Sequence, residues 1–274
     1  MLMEQIGAAL KMEVVLVSPE VAAAWLDVNV KNRPLSSSVV DKYARDMGAG
    51  RFPFTGDPIR FDSSGMLIDG QHRLSACVKA KTPFRTLVLY GLPPDAQSHM
   101  DKGKSRSAAD TLALEGFHHA RAIAAVARIM LDERYGRGQL NAAWSTAEIK
   151  AVLERHPQVH ASARRVYAKN PPRSISAAQL AYVHTVASSI LGMPERADEF
   201  VAVFVDGIPN YENDPAHLLR ERLIRSATSS DQMKRREAFR GMKQAWNAFA
   251  TRRPLKVLKW NGEVAIDGLD VEAL

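Results

Sequence analysis

The sequence predicts an α+β protein: a small mixed α/β domain over residues 1–115, then an all-helical domain over residues 116–274. Three observations predict it. Strand-like and helix-like segments alternate as far as Leu92, and from about His118 onward apolar residues recur only at helical spacing. No internal repeat or low-complexity linker divides the chain in any other way.

The first domain follows from its segments in order. Glu13–Ser18 (EVVLVS) is a Val-rich strand. Ser18-Pro19 opens a helix that runs into Leu26-Asp27. After the loop Asn32–Ser38, the stretch Ser38–Gly50 has Ser38 and Asp41 at capping-box spacing. Val39, Val40, Tyr43, Ala44 and Met47 form its apolar face. Two short extended runs, Asp57–Asp62 and Met66–Asp69, flank Ser63-Ser64-Gly65 and read as a hairpin. Ser75–Ala80 is helical, and Phe84–Leu92 is a strand stopped by Pro93-Pro94. Asp95–Gly116 reads as helix, loop, helix.

In the second domain, Ile123, Val126, Ala127, Met130 and Leu131 form one stripe. Ser145 and Glu148 are a capping box, and Pro157 stops the helix they open. Further helices cover 175–192, 194–207 and 215–227. A last one carries Phe239, Met242, Trp246 and Phe249 on one side, and the tail Leu255–Ile266 reads as extended.

The 274 residues include 46% hydrophobic ones, enough for a sizeable core. Thirty-seven Lys and Arg against thirty Asp and Glu leave +7, with a pI near 9.6, which favours an anionic partner, nucleic acid or phosphates. The single cysteine, Cys77, excludes an internal disulfide or a cysteine-based zinc site and sits on an apolar helical face. No stretch approaches the roughly 20 apolar residues of a membrane span. The opening segment lacks a basic region before its apolar residues and does not read as a signal peptide. A cytoplasmic setting without a membrane partner is expected, and a homo-oligomer is compatible with it. Motifs of zinc hydrolases, P-loop NTPases and α/β-hydrolases are missing from the sequence.

Two places carry the chemistry. The first is the strand-to-helix corner Asp69-Gly70-Gln71-His72-Arg73. A helix N-terminus exposes unpaired N–H groups and attracts anions. Gly70 permits close backbone approach, Arg73 offers a planar fork to phosphate oxygens, and His72 can donate or shuttle protons. Gln71 presents a polar edge, and Asp69 can orient Arg73 or hold a metal-bound water. Arg33, in Asn32-Arg33-Pro34, and the basic loop with Lys104 and Arg106 are expected to complete the pocket. The second is the run from Lys234 to Lys259. Its basic residues include Lys234, Arg235, Arg236, Arg240, Lys243, Arg252 and Arg253, and Glu237 is its one acid. It reads as a DNA-backbone contact.

Ile68–Ala76, IDGQHRLSA, resembles the nucleotide-binding loop of the ParB/sulfiredoxin-like superfamily. Residues 13–115 resemble its ParB N-terminal-type domain, found in many phage and bacterial proteins. The resemblance implies a nucleoside triphosphate, CTP or ATP, held at Gly70, Gln71, His72 and Arg73. It also implies a helical domain that binds DNA. Partition proteins carry a G-E-R-R-type turn with CTP, and sulfiredoxin carries G-C-H-R with ATP. Gly70 and Arg73 match the ends of both, while Gln71 replaces the cysteine of sulfinic-acid reduction. The leading expectation is a ParB-like nucleotide-binding protein acting on DNA. A rival is a nuclease or phosphotransferase with Asp69 and His72 as catalytic groups and Asp69 as a Mg2+ ligand. A third is a non-catalytic adaptor that kept the fold.

Overall fold

The computed structural model describes residues 10–29, 32, 34–96, 100, 107–136, 144–172, 174–227, 233, 235–259 and 262–274. The protein is mixed α+β, and its described residues fall into two compact units. One comprises those of 10–100 with 144–148, the other those of 107–136 and 149–274.

The first unit opens with strand β1, Lys11–Val17. Ser18 then caps helix α1, Pro19–Asp27, its hydroxyl accepting from the Val21 amide at 3.3 Å. Helix α2 spans Ser37–Gly48. Its N-cap is Ser36 rather than Ser38, and no side chain caps it. Asp41, expected to close a capping box with Ser38, instead accepts from Lys79 at 2.5 Å. Strands β2, Ile59–Asp62, and β3, Leu67–Asp69, form the expected antiparallel hairpin. Its turn is held by Asp62 Oδ1, which accepts from the Ser64 amide, the Ser64 hydroxyl and the Met66 amide. Helix α3, Gln71–Ala80, follows at once, and strand β4, Phe84–Leu92, ends the series.

The sheet order is β1-β4-β2-β3, with β4 antiparallel to β1 and parallel to β2. Its core joins Val17, Ile59, Phe61, Leu67 and Val88 to Val40, Met47, Leu74 and Cys77 of the helices. Cys77 is fully buried, as its apolar face requires, and burial pushes its thiol up to about 11. Ser145 and Glu148 cap each other as expected: the Ser145 amide donates to Glu148 Oε2, and the Glu148 amide to Ser145 Oγ. Arg45 of α2 donates to the same carboxylate at 2.6 Å.

The second unit is helical: α4 Ala108–Leu114, α5 Ala120–Tyr135, α6 Thr146–Arg155 (whose first residues group with the first unit), α7 Gln158–Ala168 and α8 Ala177–Thr185. A π-turn, Val186–Ile190, extends α8. Then come α9 Pro194–Asp206, α10 Pro215–Ala227 and α11 Arg235–Ala250. Phe200, Phe204, Trp246 and Phe249 make its aromatic centre, with Phe200 edge-on to Trp246 at 5.4 Å. The described part of the tail, read as extended, is neither helix nor ladder strand. The Asn247 amide supplies what strand pairing would, donating to the Ala265 carbonyl and accepting from the Asp267 amide. Among the described residues no helix is long and apolar enough to cross a membrane.

Candidate phosphate-binding corner and basic helix

The strand-to-helix corner is set by Gly70. It stands at the N-cap of α3 with φ +107°, in the left-handed half of backbone space that favours glycine. A Cβ there would lie 2.3 Å from the buried Ile59 Cδ1. The close approach that the glycine allows is thus to the core of its own unit.

The three polar residues after it act as a clasp. Gln71, 5% exposed, accepts from Asn29 Nδ2 at 3.0 Å. Asn29 in turn accepts from Asn32, which also donates to the Leu67 carbonyl. His72 Nε2 accepts from the Ser36 amide at 3.1 Å, which places the proton of the neutral ring on Nδ1. Gln71 and His72 therefore hold both ends of the connection between α1 and α2. Arg73 reaches the other way. Its guanidinium donates to the carbonyls of Asp57 at 2.5 Å and Pro58 at 2.7 Å, and lies 3.7 Å from Asp69. Burial pushes it below its ordinary range, opposed by Asp69 and Asp57.

The anion that Arg73 needs at a helix N-terminus thus comes from within the unit. Asp69 is likewise engaged, ion-paired with Arg60 across the hairpin. A carboxylate between two guanidiniums is a poor metal ligand, and the corner does not fit a divalent cation at Asp69. Among the described residues, no group of three or more His, Cys, Asp or Glu could hold a metal ion. Arg33, Lys104 and Arg106 lie outside the described residues.

What the corner does offer is two helix starts. Ser36 caps α2 beside His72 in the first turn of α3, and Asp41 meets Lys79 further along. The helices therefore run the same way with their N-termini together. Ser36 and Ser38 hydroxyls, 3.0 Å apart, flank the meeting point. Two positive dipole ends, two hydroxyls and an imidazole are groups that a phosphate can use.

The basic run is not one surface. Lys243, expected on DNA, is buried and donates to Glu133 at 2.9 Å, because its position in α11 falls on the apolar face of Phe239, Met242 and Trp246. Arg240 and Arg236 both pair with Glu263, whose carboxyl they hold down to about 2. Arg252 and Arg253 are exposed beyond the far end of α11. Trp246 and Phe249 are core, and Lys234 lies outside the described residues.

The structure also assembles a Ser–His–Asp group that no sequence spacing announces. His184 of α8 bonds Ser162 of α7 at Nδ1 and Asp198 of α9 at Nε2, both at 2.9 Å. The hydroxyl is at the closed end, with Ser162 2% exposed, and the carboxylate is at the open end. A nucleophile needs the opposite arrangement, so the group serves packing.

Comparison with protein-family models, curated proteins and solved structures finds no match to this chain. The class defined by fold and site is a two-unit α+β protein with a mixed four-stranded sheet and a helix-start corner.

Proposed function

We propose that the chain is a ParB-like nucleotide-binding protein acting on DNA, with a nucleoside triphosphate held through its phosphates at the shared N-termini of α2 and α3. The observation that carries the reading is the Ser36–His72 contact, which brings the two positive helix ends together. His72, the hydroxyls of Ser36 and Ser38 and the first-turn amides of both helices contact the phosphates. Arg73 is a positioning residue: it fixes the Asp57-Pro58 carbonyls and so the angle at which α3 leaves the sheet. The DNA part rests on the net charge of +7 and on Arg235, Arg236, Arg240, Arg252 and Arg253.

A thermal-shift series of the full chain with CTP, ATP, GTP and ADP, with and without Mg2+, tests it. One triphosphate should raise the midpoint, since a ligand that binds only the folded state stabilises it. His72→Ala should abolish most of that shift. No shift with any of the four would sink the proposal.

A second reading is favoured by one specific observation, that the Gln71, His72 and Arg73 side chains all bond within the unit. In that reading the turn is a structural clasp and the chain an adaptor without nucleotide. The nuclease or phosphotransferase reading draws no support from the corner, because Asp69 is tied to Arg60.

A further inference from the structure

A cavity of about 600 Å3 lies wholly within the helical unit, between the first turns of α8 and α11 and the end of α10. Its walls include the polar Ser176, Gln179 and Arg235, the first two both bonded to Arg235, together with Tyr167 and the apolar Leu223 and Met242.

Three features of the polar residues ask for a ligand. Arg235 stands at the first position of α11 and close to the start of α8, where a cation is disfavoured by both helix dipoles. Unlike Arg236 and Arg240, it has no carboxylate partner among the described residues, and its guanidinium makes only a long 3.4 Å bond to Ser176 Oγ. Ser176 is the N-cap of α8, yet its side chain caps nothing, so the first-turn amides of that helix are left for another acceptor. Gln179, 3% exposed, donates from Nε2 to the Arg235 carbonyl at 3.3 Å. That bond fixes which way the amide points, and it leaves Oε1 buried without a partner.

An anion beside Arg235, Ser176 and the α8 amides satisfies the first two features. A hydrogen-bond donor close to that anion satisfies Gln179 Oε1, which sits only three residues into the same helix. Leu223 and Met242 require the rest of the molecule to be apolar. We infer that this cavity binds an α-amino or α-acylamino carboxylate with an apolar side chain: the carboxylate at Arg235 and the start of α8, the α-nitrogen donating to Gln179 Oε1. A free amino acid and the C-terminal residue of a peptide share this chemistry.

The test uses the full chain and calorimetric titration with four probes. L-leucine represents the free amino acid and N-acetyl-L-leucine the peptide end. N-acetyl-L-leucinamide lacks the carboxylate, and 4-methylpentanoate lacks the donor. At least one of the first two should bind, and which one does distinguishes the two sources. The amide and the donorless acid should each bind about tenfold more weakly or worse, since an unpaired buried polar group costs that much. Arg235→Ala, at an exposed helix start where folding is not at stake, should weaken binding at least about tenfold. Gln179→Met should erase the advantage of N-acetyl-L-leucine over 4-methylpentanoate. Should Gln179→Met not fold, Arg235→Ala and the two control probes still decide. Absence of binding by either probe at about 10 mM overturns the inference. So does binding that survives Arg235→Ala, or equal binding of the carboxamide.

Discussion

The corner at Gly70–Arg73 and the basic stretch of α11 look alike as sequence, since each sets cations where a helix begins. The fold treats them differently. At the corner, Arg73 finds two carbonyls and Asp69 within its own unit, and Gln71 and His72 find Asn29 and Ser36. Along α11 the outcome varies residue by residue. Lys243 is inside and paired, Arg236 and Arg240 share Glu263, and Arg235 has no acid among the described residues. A cationic residue in a sequence is a demand for compensation, and only tertiary partners show whether the demand is met internally or left for a ligand.

The largest expected effect breaks the corner at its pivot. Gly70→Ala places a side chain in a left-handed conformation and against Ile59. Strain and overpacking together should cost about 3 kcal/mol, read as a lower denaturant midpoint. Ile59→Val in the same chain should recover the contact part and leave the backbone part. Arg73→Ala comes next, at about 2–3 kcal/mol, because it strands two carbonyls and leaves Asp69 with Arg60 as its one remaining guanidinium. Arg73→Lys should rescue little, since an ammonium cannot bridge both carbonyls in the plane of a fork. If Arg73→Ala were as stable as the parent, the clasp would be wrong and the guanidinium free for a ligand after all.

On α11 the contrast sharpens at Lys243. Lys243→Ala leaves Glu133 without its partner and should destabilise by about 2 kcal/mol. It should leave DNA affinity, read by fluorescence anisotropy, unchanged.

Acid should act mainly on the helical unit. Burial lowers His184, His156 and His160 below the ordinary value of 6.5. With the folded values depressed, the unfolded chain binds protons first as pH falls. Stability is therefore full above about 6.5 and declines below it towards the folded values. Urea midpoints from about pH 7.5 down to about pH 5 should show this decline, and His184→Gln should flatten part of it. A flat profile for the parent chain would mean that these rings are not held neutral.

Much of this fold was legible because its signals are local. The Val-rich run of β1, Ser18-Pro19 before α1, the Asp62–Met66 hairpin turn and the Ser145–Glu148 box each lie within a few residues, and each forms. The Ser38–Asp41 box failed because Lys79, 38 residues away, offers Asp41 an ion pair that Ser38 cannot. For the tail, read as extended, what stayed hidden was the partner: Asn247 supplies hydrogen bonds to it from a helix. For the site, spacing located the corner but not its partners. That Arg73 turns to Asp57 and Pro58, or that Lys243 turns to Glu133, depends on where hairpins and helices 15 to 110 residues away come to lie. The Gln179–Arg235 pairing is equally nonlocal, and nothing in the local sequence announces it.

The smallest effect on stability separates surface charge from structure. Arg252 and Arg253 are exposed and follow the last turn of α11, so Arg252→Ala with Arg253→Ala should move the denaturant midpoint by no more than about 0.5 kcal/mol. If DNA passes this end of the helix, each arginine neutralises a phosphate, and the pair should lower the slope of log affinity against log salt by about 2. Arg236→Ala with Arg240→Ala should lower it less, because Glu263 already answers both charges and would be released as they go. An equal loss from the two pairs would show that Glu263 gives way to DNA, making the ion pair a gate rather than a sink. No loss from either would confine whatever anion this unit holds to the cavity beside Arg235.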